Sequence, residues 1–350
     1  MPDLEPVAAA FRRFAVAEAR ENLSPLYERL SRIVTEDRDL LAIAAATRAG
    51  QPKPNMLFAA VQYLLADQPE DPLAPWYPAI GAGREPARDL ADAFRGFVLA
   101  HRDEVAALLS TRMVQTNEVR RSALLLPAFA EVSARSGRPL ALIEIGPSAG
   151  LNLLFDRYHY RYGSFELGDP TSPVQLETEP RQPSPEFSLP TVTSRVGIDL
   201  NPLDPANPDD MRWLRALIWP EHDDRRALLD AAVSVAREHP PRLLGGDLFE
   251  LLPGEVRAAP ASAQVCLFAT FVLNQFSPEM LGRLREMLLE LSRERPLAFL
   301  VLGANEFVTG SFPSGSPWTS LWLMEFEDGM ERSRQLATCN PHGRWLAWEG

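Results

Sequence analysis

The stretch 139–158, PLALIEIGPSAGLNLLFDRY, restricts what this chain can fold into more than any other part of it. It opens on Leu140-Ala141-Leu142-Ile143, an apolar run with the length and β-branched content of a buried strand. Glu144 and the turn Gly146-Pro147-Ser148-Ala149-Gly150 come next, and then Leu151, Leu154 and Phe155 at helical spacing. Strand, glycine-bearing turn and helix make up the opening unit of a nucleotide- or nucleoside-binding α/β domain. The same five residues also spell G-x-S-x-G, the sequence of a hydrolase nucleophile elbow. The rest of the chain decides between these two readings.

Nothing before residue 139 reads as a strand, and residues from about 5 to 135 carry helical periodicity instead. Phe11, Phe14, Ala15 and Ala19 repeat at helical spacing, as do Leu23, Leu26, Tyr27 and Leu30, and later Leu90, Phe94, Phe97 and Val98. Pro52 and Pro54 interrupt the chain ahead of Asn55, which is the expected N-cap of a helix over 56–66. In TRMVQTNEVRRS, residues 111–122, Thr116 or Asn117 is placed to cap the helix that runs through Leu124-Leu125-Leu126. Glu118 then falls in the first turn, where the helix dipole favours an acid. A second reading makes the same segment a polar cluster held beside the glycine turn.

Beyond the turn, Tyr158 to Gly163 alternates like a strand, and a proline-rich span reaches Pro190, which indicates a hairpin-rich insertion near 159–193. Strands are expected at Ser194 to Leu200, at Arg242 to Gly246 ahead of Asp247, at Val265 to Phe271 and at Leu297 to Leu302. Helices are expected around 211–218, 225–238 and 278–293, and hairpin-like strands near 321–326, 332–338 and 344–348. The pattern predicts an α/β domain over 130–350 with a mostly parallel, seven-stranded sheet, preceded by an all-helical cap over 1–129. Ligands of such sheets lie at the carboxyl ends of the strands. The polar residues expected there are Glu144, Ser148, Asp199, Asp247, Thr270, Asn274, Asn305 and Glu306, with acids at the ends of three successive strands.

Composition narrows the partners. A net charge of −12 without a long Lys/Arg cluster argues against nucleic acid. Two cysteines, Cys266 and Cys339, give neither a disulfide framework nor metal spacing, and the five histidines show no ligand spacing. The start has no signal-peptide core, and charges interrupt every apolar run well short of a membrane span. The expectation is a soluble cytoplasmic protein acting on a small molecule, with no nucleic acid, membrane or metal partner.

Glu144-x-Gly146-x-Ser148-x-Gly150 resembles the acid-G-x-G-x-G turn of class I S-adenosylmethionine-dependent methyltransferases, with Ser148 in place of the middle glycine. The resemblance implies S-adenosyl-L-methionine as cofactor. Gly146, Ser148 and Gly150 would let backbone approach it, and N–H groups at the following helix would receive its carboxylate. Glu144 would meet its ammonium, Asp199 the ribose hydroxyls and Asp247 the adenine amino group, with Leu248 against the ring and Thr270 a further contact. Acceptor-side candidates are Asn117, Glu118, Asn274 and Glu306. Such a transfer needs in-line positioning, and a base only where the acceptor has a proton to lose.

Gly146 and Asp199 lie 53 positions apart, against about 20 in a compact nucleotide-binding unit. Either an insertion separates them, or the second strand is Tyr158 to Leu167 and Glu166 is the ribose acid. The first alternative is preferred, because VGIDLNP at 196–202 leads through helices to the next strand. An NAD-type fingerprint would need glycines where Ser148 and Leu151 stand. The hydrolase reading lacks earlier strands and an HGGG-like segment; Pro147 constrains its turn, and His342 is its late, loop-borne base.

TRMVQTNEVRRS, LIEIGPSAGLNLLFDRYHYRYG, RVGIDLNPLD, WLRALIWPE, GGDLFELL and PHGRWLAW together resemble a bacterial family of uncharacterised, domain-of-unknown-function proteins grouped with the methyltransferase-like Rossmann folds. That resemblance spans nearly the whole chain and makes the QTNE segment one of its signatures, which puts the functional reading of Thr116, Asn117, Glu118 and Arg121 level with the capping one. The expected function is methyl transfer to a small-molecule acceptor. The alternatives are a non-catalytic S-adenosylmethionine-binding sensor of the same fold, and a serine hydrolase using Ser148.

Overall fold

The structure, a computed structural model, describes residues 3–21, 23–81, 83–182, 187–303, 305–310 and 318–349. The chain forms two compact units: Met1–Thr116 with Asn207–Ala227, and Asn117–Ala206 with Leu228–Gly350.

The first unit is helical among its described residues. Three of its helices start at these side-chain caps: Ser24 accepts from Tyr27 N–H, Asp37 from Asp39 and Leu40 N–H, and Asp89 from Ala91 N–H. Phe58 anchors an aromatic core, stacked on Tyr27 with centroids 4.6 Å apart and edge-on to Phe11 at 5.7 Å. The helix carrying Phe58 runs Lys53–Leu65 and so begins three residues earlier than expected. Pro54 lies in its first turn, where a missing N–H costs no helical hydrogen bond, so the prolines open the helix and Asn55 does not cap it.

The second unit is a mixed α/β unit around one sheet. Its strands are β1 Leu140–Ile145, β2 His159–Tyr162, β3 Phe165–Gly168, β4 Gln175–Pro180, β5 Val192–Asp199, β6 Arg242–Gly245, β7 Gln264–Thr270, β8 Leu297–Leu302, β9 Thr319–Glu327, β10 Met330–Cys339 and β11 Trp345–Trp348. The expected seven-stranded, mostly parallel sheet is corrected here: the described residues form eleven strands of mixed direction, in the order β3-β2-β4-β11-β10-β9-β8-β7-β1-β5-β6. The addition comes from the insertion between β1 and β5 and from the C-terminal strands. β9 pairs antiparallel with β8, β10 with β9 and β11 with β10, and β4 then closes on β11 through Trp345↔Glu179 and Leu346↔Pro180. Pairing an open edge in this way removes a row of unsatisfied backbone groups.

Within this sheet, β6-β5-β1-β7-β8 are five adjacent parallel strands. β1 and β8 are buried along their full length, as strands covered on both faces must be. The chain steps outward from β1 to β5 and β6, then returns to the other side of β1 as β7. That reversal is a topological switch point, where ligands of doubly wound sheets bind. It also decides the neighbour of β1. Asp199 ends β5, in register beside β1, whereas Glu166 lies in β3 at the outermost edge.

Two local expectations change. The segment after the glycine turn is a 3-10 helix, Leu151–Arg157, kinked at Leu154 (φ −101°, ψ 16°). A helix that was not expected, Leu248–Ala258, joins β6 to β7. Pro253 and Gly254 in its middle read as breakers, yet burial of Leu252 and Val256 holds the helix through them. Among the described residues no helix is long and apolar enough to cross a membrane.

Candidate functional site

The turn at the carboxyl end of β1 takes a left-handed backbone at alternate residues: Gly146 (φ 67°), Ser148 (φ 55°) and Gly150 (φ 71°). A Cβ at Gly146 would sit 2.5 Å from Val272 Cγ2, and one at Gly150 would sit 2.9 Å from Leu243 and Pro241. Backbone conformation and packing therefore both demand glycine at these two positions. Ser148 adopts the same conformation with a side chain, at a cost of roughly 1–2 kcal/mol. The turn is held by its neighbour β5: Gly146 N–H donates to the Ile198 carbonyl at 2.9 Å, and Ser148 N–H donates to Asp199 Oδ2 at 3.0 Å. Asp199 Oδ1 accepts from Asn201 N–H at 2.9 Å.

Asn117 does not cap the helix Arg121–Ser136, which starts without a side-chain cap. Its Oδ1 instead accepts from Leu151 N–H at 3.1 Å, thirty-four positions away, and so closes the far side of the glycine turn. The leading amide expected to receive an anion at Leu151 is thus already bonded, on a 3-10 segment whose amides do not form the open end of an α-helix. Next to Asn117 in the fold, Ser122 Oγ donates to Asn152 Oδ1 at 2.8 Å, both side chains being buried.

Glu144 is wholly buried, and neither of its carboxyl oxygens has a hydrogen bond among the described residues. Asn152 Nδ2, close enough to favour its ionised form, is itself without a well-aligned acceptor. Burial pushes the Glu144 pKa well above the ordinary carboxylate range and the charge of Asp199 adds to this, while Arg121 and Asn152 oppose it. Burial of this kind favours the protonated carboxyl.

Arg121 is 8% exposed; its guanidinium lies 4.3 Å over the Phe271 ring, and its Nε donates to the Pro341 carbonyl at 3.3 Å. Phe271 follows β7 with a left-handed backbone of its own (φ 62°). Glu118 is 4% exposed, with a carboxylate oxygen 3.4 Å from His342 Nδ1.

The remaining expected residues are less tightly joined. Asp247, exposed, is the N-cap of the helix Leu248–Ala258 and accepts from Phe249 N–H at 2.7 Å; Leu248 behind it is buried. Thr270 is half-buried at the end of β7, and Asn274 is exposed on the short 3-10 turn Val272–Gln275. Glu306 is half-buried in the helix Asn305–Thr309, and the side chain of Asn305 lies outside the described residues. Among the described residues, neither Asn274 nor Glu306 bonds to the group around Glu144. That group gathers Asn117, Glu144, Gly146, Ser148, Gly150 and Asp199 at the carboxyl ends of β1 and β5, while Glu118 pairs with His342 instead. Asn152, Ser122 and Phe271 join it without having been expected. The signal for Asn152 was a lone polar residue inside the apolar run Leu151 to Phe155.

Fold and site define a mixed α/β protein whose glycine turn, buried carboxyl and strand-end acid meet at the switch point of its parallel strands. The chain belongs to the DUF2332 family, described as an uncharacterized protein conserved in bacteria, whose profile matches residues 8–348. No curated protein and no solved structure matches it.

Proposed function

We propose that this unit binds S-adenosyl-L-methionine at the carboxyl ends of β1, β5 and β6 and transfers its methyl group to a small-molecule acceptor. The observation that carries the reading is Glu144. A buried ionisable side chain whose oxygens have no well-aligned hydrogen bond among the described residues is costly to keep, even with Arg121 and Asn152 favouring its charge, and it fits a site completed by a cationic ligand. An ammonium supplies both the charge and the donors that these oxygens lack.

The surroundings support the same cofactor. Asp199 ends the strand beside β1, where an acid of a doubly wound sheet meets ribose hydroxyls, and each of its oxygens keeps a lone pair beyond its one backbone bond. Asp247 and Leu248 follow the next strand outward, with an acceptor for an adenine amino group and an apolar face for the ring. When bound, the sulfonium supplies an activated methyl group, and the chain's own residues orient it and exclude water.

Equilibrium titration of wild type, D199A and E166A with S-adenosylmethionine tests the assignment. D199A is expected to lose at least tenfold in affinity, on the order of one charge-assisted hydrogen bond, and E166A to bind as wild type does. Loss of affinity in E166A alone would move the ribose site to β3 and contradict the reading.

A further inference from the structure

We propose that Glu118 and His342 form a proton-accepting dyad for the methyl acceptor, which would therefore carry a dissociable proton on its attacking atom, as a hydroxyl or a neutral amine does. This rests on the methyl-transfer reading above.

The geometry comes from two segments far apart in the chain. Glu118 precedes the helix Arg121–Ser136, and its carboxylate is 3% exposed at the side-chain level. His342 sits in the loop between β10 and β11. Its Nδ1, buried, lies 3.4 Å from Glu118 Oε2, an ion-pair distance without an aligned hydrogen bond, while the side chain as a whole is 35% exposed. The exposure therefore belongs to the rest of the ring, which includes Nε2. A buried acid behind one ring nitrogen and an accessible second nitrogen is the arrangement that orients an imidazole to take a proton.

The loop is held firmly enough to keep that geometry. Asn340 Oδ1 accepts from His342 N–H at 2.9 Å, Gly343 N–H donates to the Asn340 carbonyl at 3.0 Å, and Thr178 Oγ1 donates to the Gly343 carbonyl at 2.9 Å. Gly343 (φ 75°) lies so close to Arg120 that a Cβ there would be 2.6 Å from its carbonyl oxygen. Among the described residues the carboxylate of Glu118 lies beside the ring, while Arg120 packs on Gly343 through its backbone and Cβ, and Arg121 bonds to the Pro341 carbonyl. Arg121 links the dyad to the cofactor site, because it also lies over Phe271 and acts electrostatically on Glu144.

In the step this implies, an electron pair of the acceptor oxygen or nitrogen forms the bond to the methyl carbon. The carbon–sulfur bond breaks with its pair remaining on sulfur, leaving a neutral thioether. The acceptor's proton passes to His342 Nε2, and the resulting imidazolium is stabilised by Glu118 before it loses that proton to water. Glu118 is the positioning residue. A thiolate acceptor, having no proton to lose, would not need the pair.

Ring-nitrogen NMR of the His342 tautomer in wild type, E118Q and E118D tests the dyad without an acceptor. The carboxylate beside Nδ1 selects the Nδ1–H tautomer, which leaves Nε2 free to take a proton, so E118Q, whose amide can donate as well as accept, is expected to lose most of that preference and E118D to restore it. Diethyl pyrocarbonate is expected to modify His342 in the folded wild-type protein, which keeps the test open should E118Q fold poorly. A tautomer ratio unmoved by E118Q, or a ring unreactive until unfolding, overturns the dyad. Binding of S-adenosylmethionine is measured on the same samples. Absent binding with the expected tautomer removes the methyl-transfer reading and with it the proposed acceptor class. Normal binding with an unmoved tautomer ratio removes the dyad alone. Turnover of a hydroxyl or amine acceptor that survives in H342Q also overturns it.

Discussion

Replacing Glu144 by glutamine should stabilise the protein at neutral pH, by an amount that grows with pH. Glu144 is buried, lacks a hydrogen-bond partner among the described residues, and has its pKa pushed well above the ordinary range by burial and by Asp199. The folded state therefore holds a proton that the unfolded chain releases above about pH 4.3. Below that pH both states are protonated and the full stability is present. Above it, stability falls as pH rises, because the unfolded state binds fewer protons, and the fall ends once pH passes the folded-state pKa. For one proton the slope is a tenfold change in the folding equilibrium per pH unit, about 1.4 kcal/mol. Glutamine has the same shape and cannot ionise, so E144Q lacks this slope. Urea unfolding of both proteins at half-unit steps from pH 4 to pH 8 isolates the effect, since other titrating groups are common to the two. Curves for wild type and E144Q that stay parallel across the range would refute the buried, protonated carboxyl.

Two further substitutions probe the turn. N117A leaves the Leu151 N–H without its acceptor and should cost about 1–3 kcal/mol in urea unfolding; N117D, which keeps the oxygen, should recover most of it. G146A places a methyl group 2.5 Å from Val272 in a left-handed backbone and should cost about 2–5 kcal/mol. G254A, with open space around its Cβ in the helix Leu248–Ala258, should instead stabilise by about 0.5–1 kcal/mol. Equal effects of the two glycine substitutions would remove the packing argument for the turn.

The parts legible in the sequence were those with short-range signals. The apolar run of β1, the glycines of its turn and the acids Asp199 and Asp247 at strand ends could each be read from a few consecutive residues. So could the choice of Asp199 over Glu166 for the strand beside β1, because VGIDLNP leads on to the next strand through helices. What could not be read depends on partners distant in the chain. Glu179 meets Trp345 across most of the second unit, and that pairing joins β2, β3 and β4 to the other eight strands of the sheet. Asn117 looks like a helix cap locally and is one for nothing local, since its acceptor oxygen serves Leu151. Pro253-Gly254 spells a turn, but the apolar face to either side keeps it helical. At the candidate site, the acids were visible, whereas the burial that changes what Glu144 can do was not.

The central claim is most directly tested by calorimetric titration of the protein with S-adenosylmethionine near pH 7, in buffers of different ionisation enthalpy. A protonated Glu144 that comes to face an ammonium gives up its proton, because a neighbouring cation favours the carboxylate. The account predicts saturable binding whose observed enthalpy changes linearly with buffer ionisation enthalpy in the sense of proton release, and loss of that dependence in E144Q. Absence of binding at millimolar cofactor, or binding with the same proton release in E144Q, would contradict it.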